Sequence, residues 1–201
     1  MTRTADSAAA SMGRVWRETR PADSSGHASL HARLLGWLPR HLDRSELKLP
    51  GTEPIVSFTF DDFLLSSVTT GARIQTDLTR NAAFLKCHLP DADIRSYAYP
   101  YGAAPLSAKR VARARHAACR GVHPGLNVGS VDRGLVRAFP LETVRFDPLA
   151  LRDLLKEAVR RKAWLVFYLH DVSDDPTRFG VTPDHLRRSI RACLDAGCRV
   201  A

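Results

Sequence analysis

The chain has 201 residues, 44% of them hydrophobic and 25% charged, and a formal net charge of +9. That length suits one domain around one sizeable core. No apolar run approaches about twenty residues, so no transmembrane helix is expected. The charge admits a polyanion partner, but the basic residues are spread through stretches such as AKRVARARHAACR and LRDLLKEAVRRKAW. Both carry Ala, Leu and Val at helical spacing, so a solvated helix face accounts for most of the charge, and nucleic acid is not an expected partner.

In chain order, residues 1–28, ending in PADSSGH, read as a disordered tail or linker, and 29–201 as one domain. The tail has no apolar h-region of a secretory signal, so the expected location is the cytoplasm. SLHARLLGWLPRHL places Leu30, Leu34, Leu35 and Leu38 at helical spacing, with Pro39 marking the end. IVSFTF (55–60) alternates Val56, Phe58 and Phe60 and is a strand. A helical segment begins near 66–70, and another covers 76–88 with Leu78, Ala82 and Leu85 on one face. SYAYP (96–100) is a short strand, PLSAKRVARARHAACR (105–120) a helix, and GVHPGLNVGSVDRG a Gly- and Pro-rich connection. Residues 148–162 form a further helix and AWLVFYLH an apolar strand. The last helix, TPDHLRRSIRACLDAG, has Thr182 as N-cap, Pro183 at its first position and Gly197 at its stop. Cys87, Cys119, Cys193 and Cys198 form no CxxC pair, so reduced, mostly buried thiols are expected.

Strands alternate with helices, which indicates an α/β protein with a mostly parallel sheet. Charged groups fall at the carboxyl ends of the strands, where ligands bind in barrels and open sheets alike. At one such end Asp61 and Asp62 are adjacent. A turn there lets one carboxylate ligate a divalent metal while the other takes a proton from bound water; a solvated polar loop is the alternative. At another, His170 precedes Asp171, an imidazole able to protonate a leaving group beside a carboxylate able to orient it. At a third, Tyr99, Pro100, Tyr101 and Gly102 place two aromatics and a tight turn at the strand mouth. Tyr rings line sugar sites and a turn N–H can serve an oxyanion, although aromatics there also cap cores.

Taken in order, TFDD (59–62), YAYPYG (97–102) and FYLHD (167–171) resemble the polysaccharide deacetylase family, carbohydrate esterase family four. HDVSDDPTRFGVTPDHL also looks like the segment after the last motif in a bacterial branch of that family, so the resemblance runs over about residues 50–201. It implies a distorted, incomplete (β/α) barrel and a metal-dependent hydrolase that removes acetyl groups from N- or O-acetylated sugars. By motif matching Asp61 is the general base, Asp62 a ligand to zinc or a similar divalent metal, and His170 the general acid. Tyr101 offers its N–H to the oxyanion, and Tyr99, Pro100 and Tyr101 contact the acetylated glycan.

The chain departs from the family between the first two of these motifs. The family's HxxxH histidine pair belongs there, yet only 34 residues separate Asp62 from Tyr97, and they contain one histidine, His88. A strand–helix unit is therefore missing, which predicts an opened barrel with an exposed sheet edge. Ala98 stands where many members carry an Arg that orients the base. One carboxylate is a poor ligand set for a catalytic metal. The alternative to a deacetylase is accordingly a non-catalytic, metal-free carbohydrate-binding relative.

Overall fold

The structure is a computed structural model that describes residues 38–60, 71–145 and 147–201. Its centre is a parallel pair, β2 (Ile55–Phe60) and β7 (Trp164–Leu169), in register from Ile55 opposite Trp164 to Phe60 opposite Leu169. β6 (Phe139–Pro140) lies on the outer side of β7 and β8 (Arg199–Val200) on the outer side of β2, all parallel. A strand covered on both faces is apolar at nearly every position, and β7 reads WLVFYL for that reason. A second parallel pair joins β3 (Ser96–Ala98) to β4 (Ala118–Arg120). It connects to the first through a parallel bridge between Arg120 and Val136, because the chain from Val136 runs straight on into β6. A separate antiparallel pair is formed by β1 (Glu46–Lys48) and β5 (Ser130–Asp132).

The two faces of β7 have different partners. Leu165, Phe167 and Leu169 pack with Leu151, Leu154, Leu155 and Ala158 of α3 (Pro148–Arg160) and Cys193 of α4 (Pro183–Asp195). Phe167 also stacks on Phe58, with ring centroids 5.5 Å apart, and burying a side chain of this kind stabilises by about 2 kcal/mol. Val166 faces the other way onto Val136 and Ala138, flanked by Trp164 and Tyr168. A third cluster holds α1 (Gly71–His88) and α2 (Leu106–Arg115) together through Ile74, Leu78, Ala108 and Ala112, with Tyr99 and Cys119.

Lys109 ties the chain's first described residues to this frame. Its side chain is fully buried, and its Nζ lies 2.6 Å from Asp132 Oδ2 while donating to the Pro39 and Leu42 carbonyls at 2.6 and 3.0 Å. Asp132 in turn accepts from the Ser45 and Gly134 N–H groups. The ammonium thus satisfies carbonyls at the end of the helical residues 38–41.

The mixed α/β class expected from the sequence is present, with corrections in detail. Residues 38–41 are helical, so Pro39 lies within helix and does not mark its end. The helix expected over 105–120 stops at Arg115, because His116 is extended (φ −123°, ψ 147°) and 118–120 become β4. β1, β5 and β6 were not expected as strands. The tail of 1–28 and the helix start near 66–70 lie outside the described residues. Among those residues no barrel closes: β3 pairs only with β4 and β8 only with β2, and between β2 and β3 there is one helix and no strand. No described helix is long and apolar enough to cross a membrane.

Candidate active site

From β3 to β8 the linked strands run parallel, so their carboxyl ends share one side. The register brings two of the sequence motifs to neighbouring positions there: Phe60 pairs with Leu169, the residues immediately before Asp61 and His170. Asp61 and Asp62 themselves lie outside the described residues. The His170 ring is partly buried, with its Nδ1 buried and without a hydrogen-bond partner among the described residues. It sits 5.4 Å from the Phe179 ring, tilted by 41°.

Asp171 does not orient His170 as the HD pair suggested. Its carboxylate is taken up by Thr177, whose N–H donates to Oδ2 at 2.8 Å and whose hydroxyl donates to Oδ1. Those bonds, the hydroxyl's first, hold the Asp171 carboxyl below the usual carboxylate range. The carboxylate shapes the 171–181 loop, which is closed by Val181 N–H donating to Asp171 O at 2.9 Å. A depressed pKa stabilises above the unfolded carboxyl's value and is lost as pH falls through the folded one. Amide-exchange protection of Thr177 and Val181 is therefore expected to hold through mildly acidic pH and to collapse only below the ordinary Asp range. A loss already at neutral pH contradicts this account.

Gly180 completes the loop by close approach. A Cβ there would lie 2.5 Å from Asp171 Oδ1 and 2.6 Å from Asp171 O. Because one of those atoms is backbone, the loop has to move to admit a methyl. Gly180→Ala is expected to cost about 1–3 kcal/mol, as other overpacked sites do; a denaturation midpoint equal to the parent's would show that the loop yields freely.

The YPYG segment splits into an inward and an outward half. Tyr99 N–H donates to Arg120 O at 3.0 Å, extending the β3–β4 ladder. Its ring is 2% exposed, meets Tyr97 edge-on at 5.2 Å, and its hydroxyl donates to Gly134 O at 2.8 Å. Burial pushes this phenol far above its ordinary pKa. Tyr99 thus caps the core and presents no ring to a sugar, correcting its assignment as a substrate contact. Pro100 opens a 3-10 turn, within which Tyr101 takes a left-handed conformation (φ 54°, ψ 16°). Its ring is 69% exposed. Gly102 and Ala103 donate back to Tyr99 and Pro100, leaving the Tyr101 N–H without a partner among the described residues. Gly102 follows at φ 67°, and a side chain there would run into Val122.

One residue at this end was missed by sequence reasoning. Arg120 ends β4 as the register partner of Ala98 and is only 6% exposed. Its guanidinium lies 5.0 Å from the centre of the Tyr168 ring and donates to Gly121 O at 3.1 Å. The Ala- and Arg-rich run before it predicts helix at this position, and the Gly121 that follows is the one sign of a strand end.

The described histidines named here do not gather. His88 ends α1 with its ring 4.1 Å from that of Phe84. His116 stacks on Tyr97 at 5.3 Å, and both ring nitrogens of His123 lie 3.2 Å from the Arg40 guanidinium. Among the described residues no group of three or more His, Cys, Asp or Glu side chains could hold a metal ion. The described side chains do not by themselves make a metal site, and Asp62, the ligand that the resemblance implies, lies outside the described residues. The four cysteines are free: Cys119, Cys193 and Cys198 are buried, and Cys87 is exposed on α1. Compared with known proteins, the chain matches no family model, no curated protein and no solved structure.

Proposed function

We propose that the chain is a polysaccharide deacetylase-like hydrolase that releases acetate from N- or O-acetylated sugars. Its domain is read as an opened form of that family's (β/α) barrel, lacking one strand–helix unit. The observation that carries the reading is the β2–β7 register, which sets the residues before Asp61 and His170 side by side although they are far apart in sequence. Asp61 takes a proton from the attacking water, whose oxygen bonds to the acetyl carbon. The carbonyl electron pair moves onto oxygen, and the Tyr101 N–H, free of the turn's own hydrogen bonds, donates to the resulting oxyanion. As the tetrahedral centre collapses, the C–N or C–O bond breaks and His170 delivers a proton to the leaving nitrogen or oxygen. The Tyr101 ring contacts the sugar.

A second reading is a glycan-binding relative without catalysis. The exposed Tyr101 ring and the separate settings of His88, His116 and His123 favour it. The experiment that separates the two is acetate release by the full chain from N- and O-acetylated oligosaccharides, with and without added zinc, beside glycan binding by calorimetry. Release that Asp61→Asn abolishes supports the hydrolase. Binding indifferent to Asp61→Asn, with no release under any condition, overturns it in favour of the binding relative. Neither release nor binding removes both.

A further inference from the structure

A groove of about 950 Å³ runs between α3 and α4, and it takes no part in the reading above. Its floor is apolar: Leu151, Leu155 and Val159 on one wall, Ala192 and Ala196 on the other. The small residues on the α4 side leave the space that a larger side chain would fill. Along the α3 rim stand Arg152, Lys156 and Arg160, and Arg188 faces them from α4; Asp195 is the one carboxylate of the lining.

We infer that this groove is a docking site for an amphipathic, acidic helix of another protein. The first argument is periodicity. Arg152, Lys156 and Arg160 fall at i, i+4 and i+8, one cation about every 6 Å along a helix about 20 Å long. A ligand with a single anionic head would use one end of such a row. A helix with carboxylates at successive i, i+4 positions beside its apolar stripe uses all of it, which is the geometry of helix-in-groove recognition. The second argument is charge. The four rim cations are more than half exposed and pair with Asp153, Glu157 and Asp184 on their own helices; exposed pairs of this kind exchange partners at little cost. The third argument favours another protein over a helix from a second copy of this chain, and it rests on the described helices. Lys and Arg outnumber Asp and Glu in every one of α1 to α4: three to one, four to none, three to two and three to two. A flat anionic bilayer is a poorer fit than a helix, because the apolar floor lies recessed between the two rims.

The test uses the full chain and a fluorescent fourteen-residue helical peptide with a Leu stripe flanked by Glu at i, i+4 spacing; a matched peptide carries Lys at those positions. Anisotropy is expected to show binding of the Glu peptide, weakened roughly tenfold or more for the Lys peptide and by Arg152→Glu/Arg160→Glu in the protein. Ala192→Trp, which fills the groove without altering charge, is expected to abolish binding while circular dichroism matches the parent. Binding that survives Ala192→Trp is non-specific attraction to a basic protein and overturns the inference. So do equal affinities for the two peptides, or phosphatidylglycerol vesicles that compete the peptide away and bind the Ala192→Trp variant equally well.

Discussion

Lys109→Met is expected to lower the unfolding free energy by about 3–5 kcal/mol, the usual cost of removing one partner of a buried ion pair. The side chain is fully buried, and three oxygens depend on it: Asp132 Oδ2 and the Pro39 and Leu42 carbonyls. Methionine keeps most of the stem's packing, so the loss isolates the charge. What remains is a carboxylate whose side chain is 9% exposed with no cation beside it, and two helix-end carbonyls without their donor. Neutralising both partners, as Lys109→Met/Asp132→Asn, removes the stranded charge and is expected to cost less than the sum of the single changes. Urea titration of the four proteins gives the cycle. A single-mutant cost under about 1 kcal/mol, the range of exposed pairs, would mean that water reaches Asp132 and that the clamp is marginal.

On the deacetylase reading proposed above, His170→Gln is expected to reduce acetate release by about 10²- to 10⁴-fold, the range for loss of a general acid or base. That corresponds to about 3–5 kcal/mol of transition-state stabilisation. A fall of this size could also come from a disturbed site, so the leaving group supplies the sharper readout. A sugar amine or alkoxide needs a proton to depart, whereas 4-nitrophenolate does not. On 4-nitrophenyl acetate the same variant should lose far less. Equal losses on both substrates would remove His170 from the role of acid and leave it as a packing residue against Phe179.

The sheet and the two amphipathic helices over it were legible because their sequences satisfy one requirement at every position. WLVFYL is apolar on both faces and IVSFTF alternates, while α3 and α4 begin with Asp147 and Thr182 side chains that accept N–H bonds from Leu149 and His185. β4 was not legible, because local preference and tertiary pairing disagree. HAACR continues a helix by propensity, but Cys119 N–H donates to Arg133 O and Cys119 O accepts from Val136 N–H, and those bonds win. β1 and β5 are three residues each, too short for any periodicity.

At the candidate site the strand ends were legible, and the directions of the side chains were less so. Tyr97 and Tyr99 share a face, as i, i+2 residues of a strand must, and that face meets α1 and α2 rather than solvent. Only the left-handed Tyr101 turns outward. Asp171 read as a partner for its neighbour, yet Thr177, six residues on, takes the carboxylate with both its N–H and its hydroxyl.

The pairing of β2 with β7 also sets the order of assembly. Each residue of Ile55–Phe60 finds its partner on Trp164–Leu169, more than half the chain away. Closing such a long loop costs entropy before any contact repays it, so high-separation pairing folds slowly. During synthesis IVSFTF leaves the ribosome long before WLVFYL exists, and it waits as an unpaired apolar strand. The α1–α2 cluster and the β3–β4 pair can form in that interval from residues 71–120. The edge most exposed to aggregation is therefore the strand that carries the first motif, and what protects it is the arrival of the strand that carries the last.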